Sequence, residues 1–262
     1  MSAILPLLGV SALALVPLYV FRRPSARDRP PPRMGAPTDA TRSCISWRAA
    51  TLGSLSYLEQ HTSSVAPLAP EECLVEVRAI GLNYADVFCV LGLYEAANKM
   101  LAQSPPDDRA LVPGLEFAGN VIEVGDRVTD LAVGDRVYGF CRFGAYRTKV
   151  VSRPALLRKM PDAWSYVEGA ALLVQGLTAW HGLVELGGAK QGSRVLVHSA
   201  AGGVGCAAMQ ICASIGAAAT GVVGSPAKLP FLTERFPQCT PLVRAPERQR
   251  LPSCAALTLT ST

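Results

Sequence analysis

The stretch "VLVHSAAGGVGCAAMQICASIGA", residues 195–217, decides the fold. "VLVH" is an apolar run of strand length, "SAAGGVG" a glycine-rich turn, and "CAAMQICASI" a run of small and apolar residues suited to a helix that stops at Gly216. Such a strand, turn and helix can hold a pyrophosphate for a physical reason. The helix start offers unpaired N–H groups and the positive end of a dipole, and glycines let the backbone approach the phosphates. Here the G-x-G-x-x-G frame reads Ala200, Gly202 and Gly205, with Gly203 and Val204 inside it, so its first position is alanine.

Working outward, "AATGVVG" (218–224) reads as a second strand. "SPAKLPFLTERF" (225–236) reads as a helix with Ser225 as N-cap and Pro226 in the first turn, although Pro230 suits a long helix badly. The end of the second strand separates the two nicotinamide cofactors, because a carboxylate there binds a ribose 2′-hydroxyl and its absence favours a 2′-phosphate. This chain offers Gly224, Ser225 and Lys228, with no carboxylate between Glu185 and Glu234. NADP(H) is therefore expected over NAD(H).

Before the decisive stretch, "DAWSYVEGAALLVQGLTAWHGLVELG" (162–187) carries apolar residues at helical spacing. It predicts two helices, broken near Gln175 and Gly176 and ended at Gly187 and Gly188. From Cys44 to Pro161 the grammar is different. "CLVEVRAIGLN" (73–83), "FAGNVIEVG" (117–125) and "DRVYGF" (135–140) are β-runs divided by turns, so a mostly-β unit is expected. The domain expectation is thus 44–161 mostly-β, 162–236 α/β with a parallel sheet, and 237–262 an irregular, unfolded tail.

Half of the 262 residues are hydrophobic and 17% are charged, enough apolar material for real cores. The net charge of +5 is mild, and many arginines fall outside the expected folded part, at 22, 23, 27, 29 and 33 and at 244, 248 and 250. No basic stripe with interleaved aromatics points to nucleic acid. The eight cysteines form no C-x-x-C, and the three histidines form no metal-like cluster with them.

Residues 4–21 hold 18 uncharged residues closed by Arg22 and Arg23, and the flanking charge predicts a membrane anchor with the folded part cytosolic. A cleaved leader for a mitochondrion or plastid is the alternative, because the Pro/Arg-rich linker 22–43 is poor in acids. On this reading, residues 1–21 form an N-terminal hydrophobic helix.

Five motifs in order carry a resemblance: "GLNYADVFCVLGLY" (81–94), "VPGLEFAGNVIEVG" (112–125), "VGDRVYGF" (133–140), "EGAALLVQGLTAWHGL" (168–183) and "VLVHSAAGGVG" (195–205). Together they resemble the medium-chain dehydrogenase/reductase superfamily. Within it they are similar to the zinc-independent quinone oxidoreductase-like group, including its vesicle amine transport protein-like branch. The resemblance implies a GroES-like catalytic domain followed by a Rossmann domain, with NADPH bound by both. Zinc-dependent relatives carry a cysteine at the position of Asn83 and a histidine at that of Leu115, so it implies no metal, with Glu116 and Asp86 left at matching positions.

Carried over residue by residue, the catalytic expectations are Asn83 and Tyr84 beside the nicotinamide and Tyr94 facing the substrate. Thr178 is expected at the nicotinamide, Ala200, Gly202, Gly203, Val204 and Gly205 at the pyrophosphate, and Gly224, Ser225 and Lys228 at the 2′-phosphate. The implied substrate is a quinone or an α,β-unsaturated carbonyl. Only the first strand–helix–strand and one more helix precede residue 237, so the resemblance implies a C-terminally truncated, partial Rossmann domain without the family's dimer edge. Two functions stay open: an NADPH-dependent oxidoreductase, or a non-catalytic, membrane-anchored remnant acting at most as a binding module.

Overall fold

The computed structural model describes residues 42–105 and 109–244. They fall into two compact units that divide between Val174 and Gln175. The division comes 13 residues after the expected boundary at Pro161, because the helix Tyr166–Ala170 packs on strands of the first unit.

The first unit opens with an antiparallel pair, β1 (Ser43–Arg48) and β2 (Glu59–Ser64). Its main sheet begins with β3 (Cys73–Gly81). Two helices absent from the sequence reading follow, α1 (Tyr84–Val90) and α2 (Glu95–Gln103). Then come β4 (Glu116–Val124), β5 (Arg136–Phe140), β6 (Lys149–Ser152) and β7 (Leu157–Lys159). The five strands run in the order β6-β3-β4-β5-β7, and every neighbouring pair is antiparallel.

The three expected β-runs appear as β3, β4 and β5. Their buried residues Cys73, Val75, Phe117, Val121 and Val137 share one core. Removing one such side chain from water contributes roughly 1.5–3 kcal/mol, which fixes the register of the strands that carry it. A smaller core of Cys89, Ala97 and Leu111 seats α1 and α2. α3 (Tyr166–Ala170) starts at Ser165, whose hydroxyl accepts from the Glu168 N–H while the Glu168 carboxylate accepts from the Ser165 N–H.

α4 (Leu173–Trp180) leads into a π-helical stretch, His181–Leu186. The helical region is therefore broken at Ala171 and Leu172 rather than at Gln175 and Gly176, which lie inside α4. The break coincides with the Glu116 carboxylate, which accepts from the Val174 N–H at the start of α4.

In the second unit, β8 (Arg194–His198) alternates exposed and buried residues along its length. α5 (Gly203–Ile215) follows and ends at Gly216, whose φ of 74° lies in the left-handed region. β9 (Ala218–Val223) pairs parallel with β8. The expected helix 225–236 is instead a single 3₁₀ turn at Pro226–Lys228 followed by α6 (Leu229–Arg235). Pro230 falls in the first turn of α6, where a missing N–H leaves no bond unmade.

The unfolded tail from residue 237 needs a correction. β10 (Thr240–Val243) adds to β9 in parallel, giving the order β10-β9-β8, and α6 packs against it. Arg244 continues the ladder by donating its N–H to Val223 O at 2.8 Å. Even-numbered residues of β10 thus face β9 with their N–H groups, and Pro241 turns its substituted nitrogen away. Arg244, expected outside the folded part, stands at the end of this strand.

The membrane placement also needs correction. Among the described residues no helix is long and apolar enough to cross a membrane. Membrane anchoring with a cytosolic folded part, and with it the N-terminal hydrophobic helix, is not supported. The residues on which it rested, 1–21, lie outside the described residues, as do most of the linker 22–43 and residues 245–262 of the tail.

Candidate functional site

Asn83 stands just before α1, on extended backbone with φ −126° and ψ 151°. Its amide Nδ2 donates to Glu116 Oε1 at 2.9 Å, and the Val174 N–H donates to Glu116 Oε2 at 2.9 Å. Both carboxylate oxygens are thus engaged, and Glu116 is only 1% exposed. Burial pushes its pKa up. The hydrogen bonds from Asn83, Val174 and Leu173 oppose that shift, and the charge of Asp86 adds to it.

Asp86, 3% exposed, accepts from the Asn83 N–H at 2.8 Å and from the Tyr146 hydroxyl at 3.2 Å. Burial raises its pKa too, against hydrogen bonds from Asn83, Tyr146 and Gly114. One flank of Asn83 is therefore fixed through its side chain and the other through its backbone. Its second amide N–H is left over by these bonds. Tyr84 is 82% exposed. Tyr94, 38% exposed, precedes α2 and packs edge-on against Phe143 with ring centroids 6.2 Å apart.

In the second unit the glycine-rich turn carries its own strain and spacing. Ser199 has φ 53°, the one left-handed residue other than glycine among the described residues. Its carbonyl accepts the Gly202 N–H at 2.7 Å. Gly202 caps α5 without any side-chain bond, and the first N–H that turns back to it is that of Cys206, at 2.8 Å. The N–H groups of Gly203, Val204 and Gly205 make up the uncapped first turn.

A Cβ on Gly205 would lie 2.3 Å from Ser199 O and 2.7 Å from Ala200 Cα, so only glycine lets the helix start this close to the strand end. Gly203 is governed differently, because a Cβ there would meet the Gln175 side chain at 2.2 Å. Ala200 is fully buried and donates its N–H to Val222 O, so it belongs to the sheet rather than to the open turn. Val204 is 43% exposed, and Thr178 lies exposed on α4.

At the end of β9, the Ser225 hydroxyl accepts from the Ala227 N–H at 3.3 Å and so caps the turn that bears the exposed Lys228. Space beside Gly224 is open except for the Arg244 guanidinium. Its Nη2 comes 3.9 Å from where a Gly224 Cβ would sit.

The structure thus gathers Gly202, Gly203, Val204 and Gly205 at the start of α5, and Gly224, Ser225 and Lys228 beyond β9. Asn83, Tyr84 and Tyr94 belong to the other unit. Sequence reasoning missed Tyr146, the Val174 N–H and Arg244. The first two reach their partners across 60 and 58 residues, and no periodicity signals such a bond.

Three comparisons with known proteins accompany this geometry. Residues 69–162 match the family described as the alcohol dehydrogenase GroES-like domain. The chain is 39% identical over 218 residues to the spectinabilin polyketide synthase system protein NorB of Streptomyces orinoci, a match over 82% of this chain and 9% of that protein. Among solved structures, CurK enoyl reductase superposes with a TM-score of 0.70 at 30% identity, covering 76% of this chain and 59% of that one. Escherichia coli quinone oxidoreductase complexed with NADPH superposes with a TM-score of 0.66 at 29% identity, covering 79% and 59%. The chain therefore spans about three fifths of the solved chains it matches and a small part of the synthase.

Proposed function

Because the chain belongs to the quinone oxidoreductase-like group of the medium-chain dehydrogenase/reductase superfamily, we propose that it binds NADPH and reduces a quinone or an α,β-unsaturated carbonyl without a catalytic metal. The observation that carries this reading is the uncapped first turn of α5, with Gly205 pressed against Ser199. That turn fits a pyrophosphate: three backbone N–H groups with no side-chain cap bond, and a helix of 13 residues behind them. The enoyl reductase and quinone oxidoreductase among the structural relatives support the substrate class, and the NADPH in the latter supports the cofactor.

Bound NADPH supplies a hydride. Gly203, Val204 and Gly205 would hold its phosphates through backbone N–H groups, with Gly202, its own N–H bonded to Ser199 O, letting the phosphates come close; Thr178 would support the nicotinamide, and Ser225 and Lys228 would serve the adenosine end. Asn83 is pre-set by Glu116 and Asp86, so its amide orients without a reorganisation cost at the moment of reaction. Glu116 and Asp86 act here as braces of Asn83, because their bonded oxygens face N–H and O–H donors. Tyr84 and Tyr94 would supply hydroxyls for the carbonyl oxygen of the substrate, where negative charge would gather on reduction. With the hydride, one proton on the α-carbon would take an enone to the saturated carbonyl, and one proton would take a quinone to the hydroquinone.

The test is a fluorescence titration of the full chain with NADPH, followed by NADPH oxidation with 1,4-benzoquinone and with a simple enone. Saturable binding and acceptor-dependent oxidation are expected, with the rate falling about 10²-fold or more in the Asn83→Ala variant if its amide donates to the developing charge. A chain that shows no saturation with NADPH would leave only a binding module.

A further inference from the structure

We propose that Arg244, at the end of β10, is the residue that selects NADPH over NADH, acting as the cation for the adenosine 2′-phosphate. The inference rests on the nucleotide reading above and goes beyond it. That reading assigned the phosphate to Ser225 and Lys228 and gave Arg244 no part.

Three facts carry it. The parallel order β10-β9-β8 puts the carboxyl ends of β9 and β10 side by side, and ligands of such sheets lie beyond those ends. The Arg244 backbone is pinned there by its bond to Val223 O at 2.8 Å, so the side chain starts from a fixed point. Its guanidinium reaches back to Gly224, with Nη2 3.9 Å from the position of an added Cβ. That is where a carboxylate would serve a free 2′-hydroxyl, and this chain has instead a glycine and a cation.

Arginine suits the task better than Lys228. A planar guanidinium grips phosphate with two parallel N–H bonds, whereas an ammonium is a hydrated point charge on a flexible stem. Lys228 lies in an exposed turn, while Arg244 extends a hydrogen-bonded strand. Ser225, between Gly224 and the turn, then adds a hydroxyl.

Gly224 also supplies the counter-test. Nothing but the Arg244 guanidinium lies within 4 Å of a Cβ there, and the backbone is not left-handed, so an aspartate can be installed without strain. Its carboxylate would pair with Arg244 and meet a ribose 2′-hydroxyl.

The experiment titrates the full chain and its Arg244→Ala, Arg244→Lys and Gly224→Asp variants with NADPH, NADH and 2′,5′-ADP, read by fluorescence and competition. The native chain should prefer NADPH. In Arg244→Ala that preference should fall ~10-fold or more, the effect of losing a charge-assisted phosphate bond, and 2′,5′-ADP should weaken in parallel. Arg244→Lys should recover part of the loss, and Gly224→Asp should bring NADH level with NADPH or ahead of it. If NADPH binds and both Arg244→Ala and Gly224→Asp keep the native preference within about twofold, Arg244 is not the selector and the nucleotide reading stands. If the native chain saturates with no nucleotide, both proposals fall together.

Discussion

At Glu116 two N–H donors meet one buried carboxylate, and the consequence is a pH dependence with a definite sign. Burial raises its pKa above the ordinary 4.5, so the folded protein holds the proton more tightly than the unfolded chain does. The stabilisation this gives is complete below the unfolded pKa and is lost as pH rises through the folded one. Glu116→Gln cannot titrate and so removes that slope, while leaving a constant penalty because an amide –NH₂ must face the Asn83 or Val174 donor. The unfolding free energy of the native chain relative to this variant should therefore fall as pH rises above the ordinary 4.5. Urea midpoints measured at rising pH read it, and a difference that stays flat would show that the fold does not shift this carboxyl. Asn83, Tyr84 and Tyr94 were singled out in the sequence because whole motifs carry them. The Val174 N–H was not, because a backbone donor leaves no mark in residue identity.

At the scale of elements, what the sequence revealed followed side-chain pattern, and what it hid depended on partners. β3, β4, β5, β8 and β9 alternate or run apolar and were legible. β10 is four residues with a proline, a composition that argues against a strand until one sees that Pro241 turns its nitrogen away from β9. The helix break moved to Ala171 and Leu172 because a buried carboxylate from β4 takes the first N–H groups of α4, a contact no local pattern encodes. The two close glycines of α5 should respond differently to alanine. Gly205→Ala drives Cβ into the Ser199 carbonyl at 2.3 Å, so backbone must move, and an overpacking loss of roughly 1–3 kcal/mol is expected. Gly203→Ala meets only the far end of Gln175, a side chain that can swing aside. Its smaller loss should vanish when Gln175→Ala is added, whereas the Gly205→Ala loss should persist. Denaturation of the singles and doubles decides this, and equal, independent losses would contradict the contacts described for the turn.

At the scale of the whole chain, the division at Val174 and Gln175 makes ligand linkage a spatially resolved test. The first unit has its core in a five-stranded antiparallel sheet. The second sets Cys206, Met209 and Cys212 of α5 among its buried residues beside Val195, Val197 and Val223 of the parallel strands. The two kinds of unit were legible because periodicity changes with the sheet type, while the seam was not, because α3 continues the helical pattern of the second unit yet packs on β3 and β4 of the first. All of the groups proposed for phosphate lie in the second unit: the first turn of α5, Ser225, Lys228 and Arg244. A ligand that binds only the folded form adds about 2.7 kcal/mol at a concentration 100 times its Kd. Amides of β8 and β9 that exchange through unfolding of their unit should then slow about 100-fold when NADPH is added to that level. The amides of Gly203, Val204 and Gly205 should gain protection directly, since a phosphate would occupy them. Hydrogen exchange followed by mass spectrometry reads both effects peptide by peptide. Slowing in β8 and β9 without protection at residues 203–205 would mean that the nucleotide sits elsewhere in the unit, and the start of α5 would lose its assigned role.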